Sequence, residues 1–188
     1  MKKYEFTGET KQIELLLRRV TLHRIRAVAE FGFVKIGDLG GWIEKEENLS
    51  HDGDAWVCDD ARVCDDARVC DDARVCGNAE VCGNARVYGN ARVCGNARVC
   101  GNAEVCGDAE VYSTSHVLTI GPIGSRNDFT TFFRNKDNEI TVRCGCFLGK
   151  IDRFLEKVTA THGNRKHALV YLAAVEVAKS QIDLSGKE

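Results

Sequence analysis

The sequence predicts a mainly β protein: a three-faced parallel β-helix in the middle third, an N-terminal β cap before it and a C-terminal α+β module after it. Three observations carry that prediction. A strict six-residue repeat runs from Ala55 to Thr114; the chain on either side lacks it; and past residue 150 the apolar residues fall at helical spacing. The repeat divides the chain into residues 1–50, a cap that leads into the first coil, residues 51–115, the β-helix, and residues 116–188, the module.

In the cap, Thr21 to Val28 alternate as a strand, with His23, Ile25 and Ala27 on one face and Leu22, Arg24, Arg26 and Val28 on the other. Gly37 to Gly41 then reads as a turn into Trp42 and Ile43, and Trp42 is expected to plug the core.

The repeat itself reads A-x-V-[C/Y]-[G/D]-[N/D], with a variant end at Ser113-Thr114. Ten hexads keep Ala first and Val third without exception. Residues two apart share one face of a strand, so Ala and Val point inward and the Arg or Glu between them outward. Gly-Asn or Asp-Asp follows, residues that accept positive φ and turn the chain. Three such hexads close a coil of 18 residues, and Leu39 to Asp54 has the length to add one more. The period predicts outward columns Trp56, Arg74, Arg92, Glu110; Arg62, Glu80, Arg98; and Arg68, Arg86, Glu104.

Eight of the ten cysteines sit at the fourth repeat position, which Tyr88 and Tyr112 also occupy. A position that takes tyrosine as readily as cysteine is used for shape. These residues are therefore expected as free, stacked apolar caps rather than disulfides or metal ligands.

After Pro122, the only proline, Phe129 to Arg134 and Glu139 to Cys144 form a hairpin around Asn135 to Asn138. Ile151, Phe154, Leu155 and Val158 mark a first helix stopped by Gly163, and Arg165 to Ile182 a second.

Candidate sites are few. The segment GPIGSRND, Gly121 to Asp128, places Ser125, Arg126 and Asn127 in a shaped turn that offers a hydroxyl, amides and a guanidinium to an anion, with Arg143, Arg165 and Lys166 to complete it. A structured junction is the alternative role of that segment. Asp59, Asp60, Asp65, Asp66, Asp71 and Asp72 encircle one coil and are candidates for contact with a basic partner or a calcium ion or, more simply, solvated turn residues. Cys144-Gly-Cys146 reads first as strand-end packing; a metal site would need His162 or His167, and a thiol nucleophile would need His162. Neither GxGxxG nor GKS/T is present, so no cofactor, no metal and no catalytic residue are assigned.

The 188 residues carry a formal net charge of -2, which argues against a general nucleic-acid binder. Residues 51–115 hold six basic and twelve acidic side chains and residues 116–188 eleven and eight, so an anionic partner is sought in the module. No apolar run reaches a membrane-spanning length, and a cytoplasmic location is expected.

The repeat resembles the hexapeptide-repeat, left-handed parallel β-helix class, and DLGGWIEKEENLS at 38–50 with IGPIGSRNDFTTFF at 120–133 resembles an uncharacterised group of short hexapeptide-repeat proteins of bacteria and their phages. Left-handedness and a homo-oligomer, dimer or trimer, are implied by that resemblance alone. Transferases of the class use a loop histidine, and no histidine lies between His51 and His116. The expectation is a non-catalytic binding or interaction protein whose partner is a host protein, met in the host cytoplasm if the gene is a phage's, or a small anionic ligand. A small hexapeptide-repeat transferase and a structural oligomerisation scaffold are the alternatives.

Overall fold

The computed structural model describes residues 2–15 and 18–185. Strands β1 (Tyr4–Leu15), β2 (Arg18–Ala27) and β3 (Leu39–Ile43) precede ten two-residue strands, one per hexad, from β4 (Trp56–Val57) to β13 (Glu110–Val111). Then come β14 (Val117–Ile123), β15 (Asp128–Arg134), β16 (Ile140–Cys144), β17 (Phe147–Lys150), α1 (Ile151–His162) and α2 (Lys166–Gln181). The protein is a repeat β-helix: strands three hexads apart pair in parallel and in register. Trp56, Arg74, Arg92 and Glu110 lie side by side, as do Arg62, Glu80 and Arg98, and Arg68, Arg86 and Glu104. The three outward columns are those the period predicts.

Inside, the Ala and Val of every hexad are at most 2% exposed. Their burial is the main force holding the coil, about 1.5–3 kcal/mol for each valine relative to an exposed one. Short backbone hydrogen bonds between coils, such as Arg62 N–H to the Ala79 carbonyl at 2.9 Å, leave little of the backbone unsatisfied. The segment before the repeat supplies an extra coil. Trp42 pairs with Arg62 and Leu49 bridges to Val69, so the stack has about four turns.

The corners explain the Asp-Asp pairs. Asp59, Asp65 and Asp71 take φ near +60°, the conformation that glycine supplies in later coils. Each carboxylate accepts the backbone N–H of the glycine in the next coil, Gly77, Gly83 and Gly89, at 2.9 to 3.0 Å. An aspartate tolerates that backbone better than most residues and adds an acceptor glycine lacks.

The N-terminal hairpin β1–β2 adds to β3 and extends one face of the coil into a six-stranded sheet. On that face the coil's edge is paired rather than left open. Tyr4, Ile25 and Ala27 fill the coil mouth. Tyr4 Oη donates towards the Leu49 and Glu46 carbonyls at 2.9 and 3.0 Å, and burial pushes its phenol well above the usual range. Trp42 is not the plug that the sequence implied. It occupies the outward position beside Arg62 and packs with Val20, Leu22 and Cys64 in a separate small cluster, because alternation sends Ile43, not Trp42, inward.

The cysteine columns also differ from expectation. Cys76–Cys94 and Cys82–Cys100 are joined as disulfides, since in-register strands hold their Cα atoms 4.6 and 4.7 Å apart, within bonding range. The column with Tyr88 at its centre has no such neighbours, and Cys70 and Cys106 are free.

At the other end, the antiparallel sheet β14–β15–β16–β17 meets the coil chiefly through β15, with Val117 of β14 packed beside it. Phe133 of β15 enters the β-helix core, while its neighbour Phe132 faces the opposite way, into a second core with Phe154, Tyr171 and Val175 from the two helices. Arg134, fully buried, follows; its Nε donates to the Glu110 carbonyl at 3.3 Å and its guanidinium lies over Tyr112. The hairpin and both helices match the sequence reading to within a residue or so. Strands β1, β14 and β17 were not foreseen. No helix among the described residues is long and apolar enough to cross a membrane.

Val87→Asp places a carboxylate among alanines and valines with no partner, and is expected to lower Tm on the order of 10 °C, whereas Arg92→Gln on the outer face should stay within about 0.5 kcal/mol of wild type in thermal unfolding. A second prediction concerns Lys3, which is 4% exposed and donates to the Ala55 and Gly53 carbonyls at 2.8 and 3.1 Å. Burial lowers its pKa from 10.5 to about 8, against the opposing pull of Asp54, Asp52 and Asp72. Between those two values the unfolded chain binds the proton and the folded one does not, so folding gains stability as pH rises through that window. The Tm of wild type relative to Lys3→Met should therefore increase from pH 8 to pH 10; a difference independent of pH would show that the amine titrates normally.

Candidate ligand-binding site

The expected anion turn lies at the edge of the C-terminal sheet. Its first half is not loop but strand, since β14 runs through Ile123; residues 124–127 make the turn into β15, with Gly124 and Asn127 at positive φ. Gly124 is required here by space as well as by backbone. A Cβ at this position would overlap the Tyr171 hydroxyl of α2.

Beyond the turn lies a pocket of about 240 Å³ between the sheet and the helices. Its floor is apolar, with Phe147, Phe154 and Val158 joined by the Tyr171 ring. Phe154 meets Phe147 at 5.3 Å and Tyr171 edge-on at 5.5 Å between ring centroids. Its rim carries Ser125, Arg126, Lys157, Thr161 and His162, with Asp128 as the carboxylate. Two cations thus stand against one carboxylate. Residues 154, 157, 158, 161 and 162 recur at helical spacing, so one face of α1 supplies the floor and part of the rim. Lys157 Nζ sits over the Phe147 ring at 5.6 Å.

The two cysteines of the C-x-C pair fall into different roles. Cys144 Sγ accepts from Thr130 Oγ1 at 3.3 Å and lies 3.8 Å from the Tyr171 hydroxyl, whose pKa is pushed up to about 12 by burial and by the thiol beside it. That thiol is a packing and hydrogen-bonding group. Cys146 is exposed at the pocket edge. His162 stacks on Tyr171 with ring centroids 6.0 Å apart.

The remaining residues expected to complete the anion site do not converge on it. Arg143 turns to the β-helix, where its Nε donates to Glu104 at 2.7 Å, a carboxylate that also accepts from Tyr88. Arg165 and Lys166 are exposed at the start of α2 and line neither this pocket nor its neighbour. Asn127 serves the turn, donating its N–H to the Gly124 carbonyl at 3.4 Å. Lys157, Thr161 and Tyr171 are the functional candidates the sequence reading missed; the helical face of α1 was the available signal for the first two.

Of the six acidic corner residues, Asp59, Asp65 and Asp71 are engaged by backbone N–H groups of the next coil. Asp65 also pairs with Arg18 and Asp66 with Lys45 at 2.7 Å, while Asp72 accepts the Asp54 N–H at 3.2 Å. The ring attracts basic groups, and those groups belong largely to the protein's own cap. Cys58, Asp59 and Cys76 cluster closely enough to ligate an ion, as do Glu80, Cys82 and Cys100, and Glu44, Cys64 and Asp65. The first two clusters draw on disulfide sulfurs, and burial pushes the Cys58 and Cys64 thiols up to about 11.

Comparison with known proteins supports the coil. Residues 79–95 and 91–107 match the YdcK beta-solenoid repeat family. Over 63 residues the chain is 33% identical to a protein of Escherichia coli (strain K12) described as uncharacterized acetyltransferase YdcK. That stretch is 31% of this chain and only 19% of YdcK, so the chain spans about a fifth of that protein's length.

Gly124→Ala is expected to displace Tyr171 and cost about 1–3 kcal/mol more than Gly145→Ala, which has a similar positive φ but meets only the tip of Arg126. Chemical denaturation of the two variants measures the difference.

Proposed function

We propose that this protein is a non-catalytic binding protein whose β-helix rigidly carries a pocket for a small anionic ligand with a planar apolar part. The observation that carries the reading is the pairing of a ring-lined floor with Arg126 and Lys157 at the rim of one pocket. Apolar floors with a few placed polar groups are the usual composition of small-ligand sites. Among the described residues Arg126 has no hydrogen bond or ion pair within the chain, so its donors are free for a ligand. A guanidinium and an ammonium beside an apolar floor favour a phosphate or carboxylate joined to a ring.

Phenyl phosphate is the simplest probe of both halves. Calorimetric titration should show it binding more tightly than inorganic phosphate, and Arg126→Ala should weaken binding by about tenfold or more while leaving the thermal transition in place. No measurable binding of phenyl phosphate to the intact protein would reject the reading.

A second reading, acyl transfer, draws on the likeness to YdcK, described as an uncharacterized acetyltransferase. The matched segment is too short to span the repeat and the module together, and Cys144 is held between Thr130 and Tyr171 rather than against a base. Release of free coenzyme A from acetyl-coenzyme A by the purified protein would favour that reading instead.

A further inference from the structure

A second cleft, of about 390 Å³, lies on the other side of the turn, in the seam between the β-helix and the C-terminal sheet. The β-helix contributes Asn84, Arg86, Asn102 and Glu104; the sheet contributes Phe129, Thr131 and Arg143. Asp128 and Gly145 line this cleft and the ring-floored pocket alike. The two spaces are therefore neighbours, and the Arg126 guanidinium lies over Gly145 at their boundary, its Nη1 3.4 Å from where a Cβ would stand.

Their chemistry differs. Arg86 and Arg143 balance Glu104 and Asp128, so the seam cleft has no excess of either sign. Asn84 Nδ2 donates to Asn102 Oδ1 at 3.2 Å, which leaves an amide oxygen and an amide NH2 for other partners. Arg86 is exposed and forms no ion pair among the described residues. Phe129 is the only ring. An anion here would face two carboxylates and a cation two guanidinium groups, while an apolar group would strip water from all of them. Hydroxyl groups both donate and accept, and a sugar ring presents several of them together with a C–H face for Phe129.

We propose that the two clefts form one site and that its ligand is a phosphorylated sugar bearing a planar group, with the planar group on the ring-lined floor, the phosphate held by Arg126 and Lys157 and the sugar against Arg86 and the Asn84–Asn102 pair. This rests on the anion-binding reading above and extends it. It also gives the β-helix a direct part in recognition, since half of the sugar subsite is on the coil.

The test is calorimetric titration of the full chain with inorganic phosphate, ribose 5-phosphate and glucose 6-phosphate. At least one sugar phosphate should bind about tenfold more tightly than inorganic phosphate. Arg86→Ala and Asn102→Ala should remove that advantage while leaving inorganic phosphate binding and Tm unchanged, because both side chains point outward from the coil. Equal affinity of wild type for all three probes, with phenyl phosphate still bound, would overturn the sugar subsite and leave the anion pocket standing. Loss of the advantage in Arg126→Ala but not in Arg86→Ala would equally overturn it. Failure of every probe, phenyl phosphate included, would overturn both.

Discussion

The in-register parallel ladder with a period of 18 residues is the constraint on which everything else depends. It stacks alanine on alanine and valine on valine, and so makes a core too narrow for any other content. Because the coils are identical in cross-section, one misplaced large or charged inward side chain has no slack to occupy. The ladder also dictates what happens outside. It brings cysteines into bonding range, sets Glu80 between Arg62 and Arg98, and lines up the Asn and Asp side chains of successive corners.

A ladder of this kind has two raw ends, and the protein treats them differently. At the N-terminal end the sheet itself continues, through β3, β2 and β1, while Tyr4, Ile25 and buried Lys3 finish the core and its last carbonyls. At the C-terminal end β15 makes most of the contact. The alternation of β15 sends Phe133 into the coil and Phe132 into the module, so the two cores share a backbone and the module is fixed on the coil. Arg143 and Glu104 reinforce the same joint from the outside. A rigid joint is what a site shared between coil and module requires.

The candidate site sits beside this joint because that is where chemistry becomes available. Along the coil every inward position is Ala or Val and every corner is needed for turning. Past the last hexad, arginine, lysine, histidine and aromatic side chains meet around a concave surface. The turn 124–127 divides that surface into an apolar, cationic half and a polar, balanced half.

The sequence alone determined the coil: its inward residues, its three outward columns, its corner conformations, the C-terminal hairpin and both helices, including the stop at Gly163. These follow from local periodicity and turn chemistry, which neighbours in sequence suffice to express. It also singled out Ser125 and Arg126, from a turn whose composition is unlike the repeat. Tertiary structure decided the rest. It moved Trp42 from plug to outer cluster, because one step of strand register exchanges the two faces. It pinned Arg143 on Glu104 in the seam rather than in the ring-floored pocket, left Arg165 and Lys166 outside, and brought Lys157 and Tyr171 in. Convergence of side chains from distant elements depends on how the sheet and helices pack around β15, and no local pattern encodes that packing.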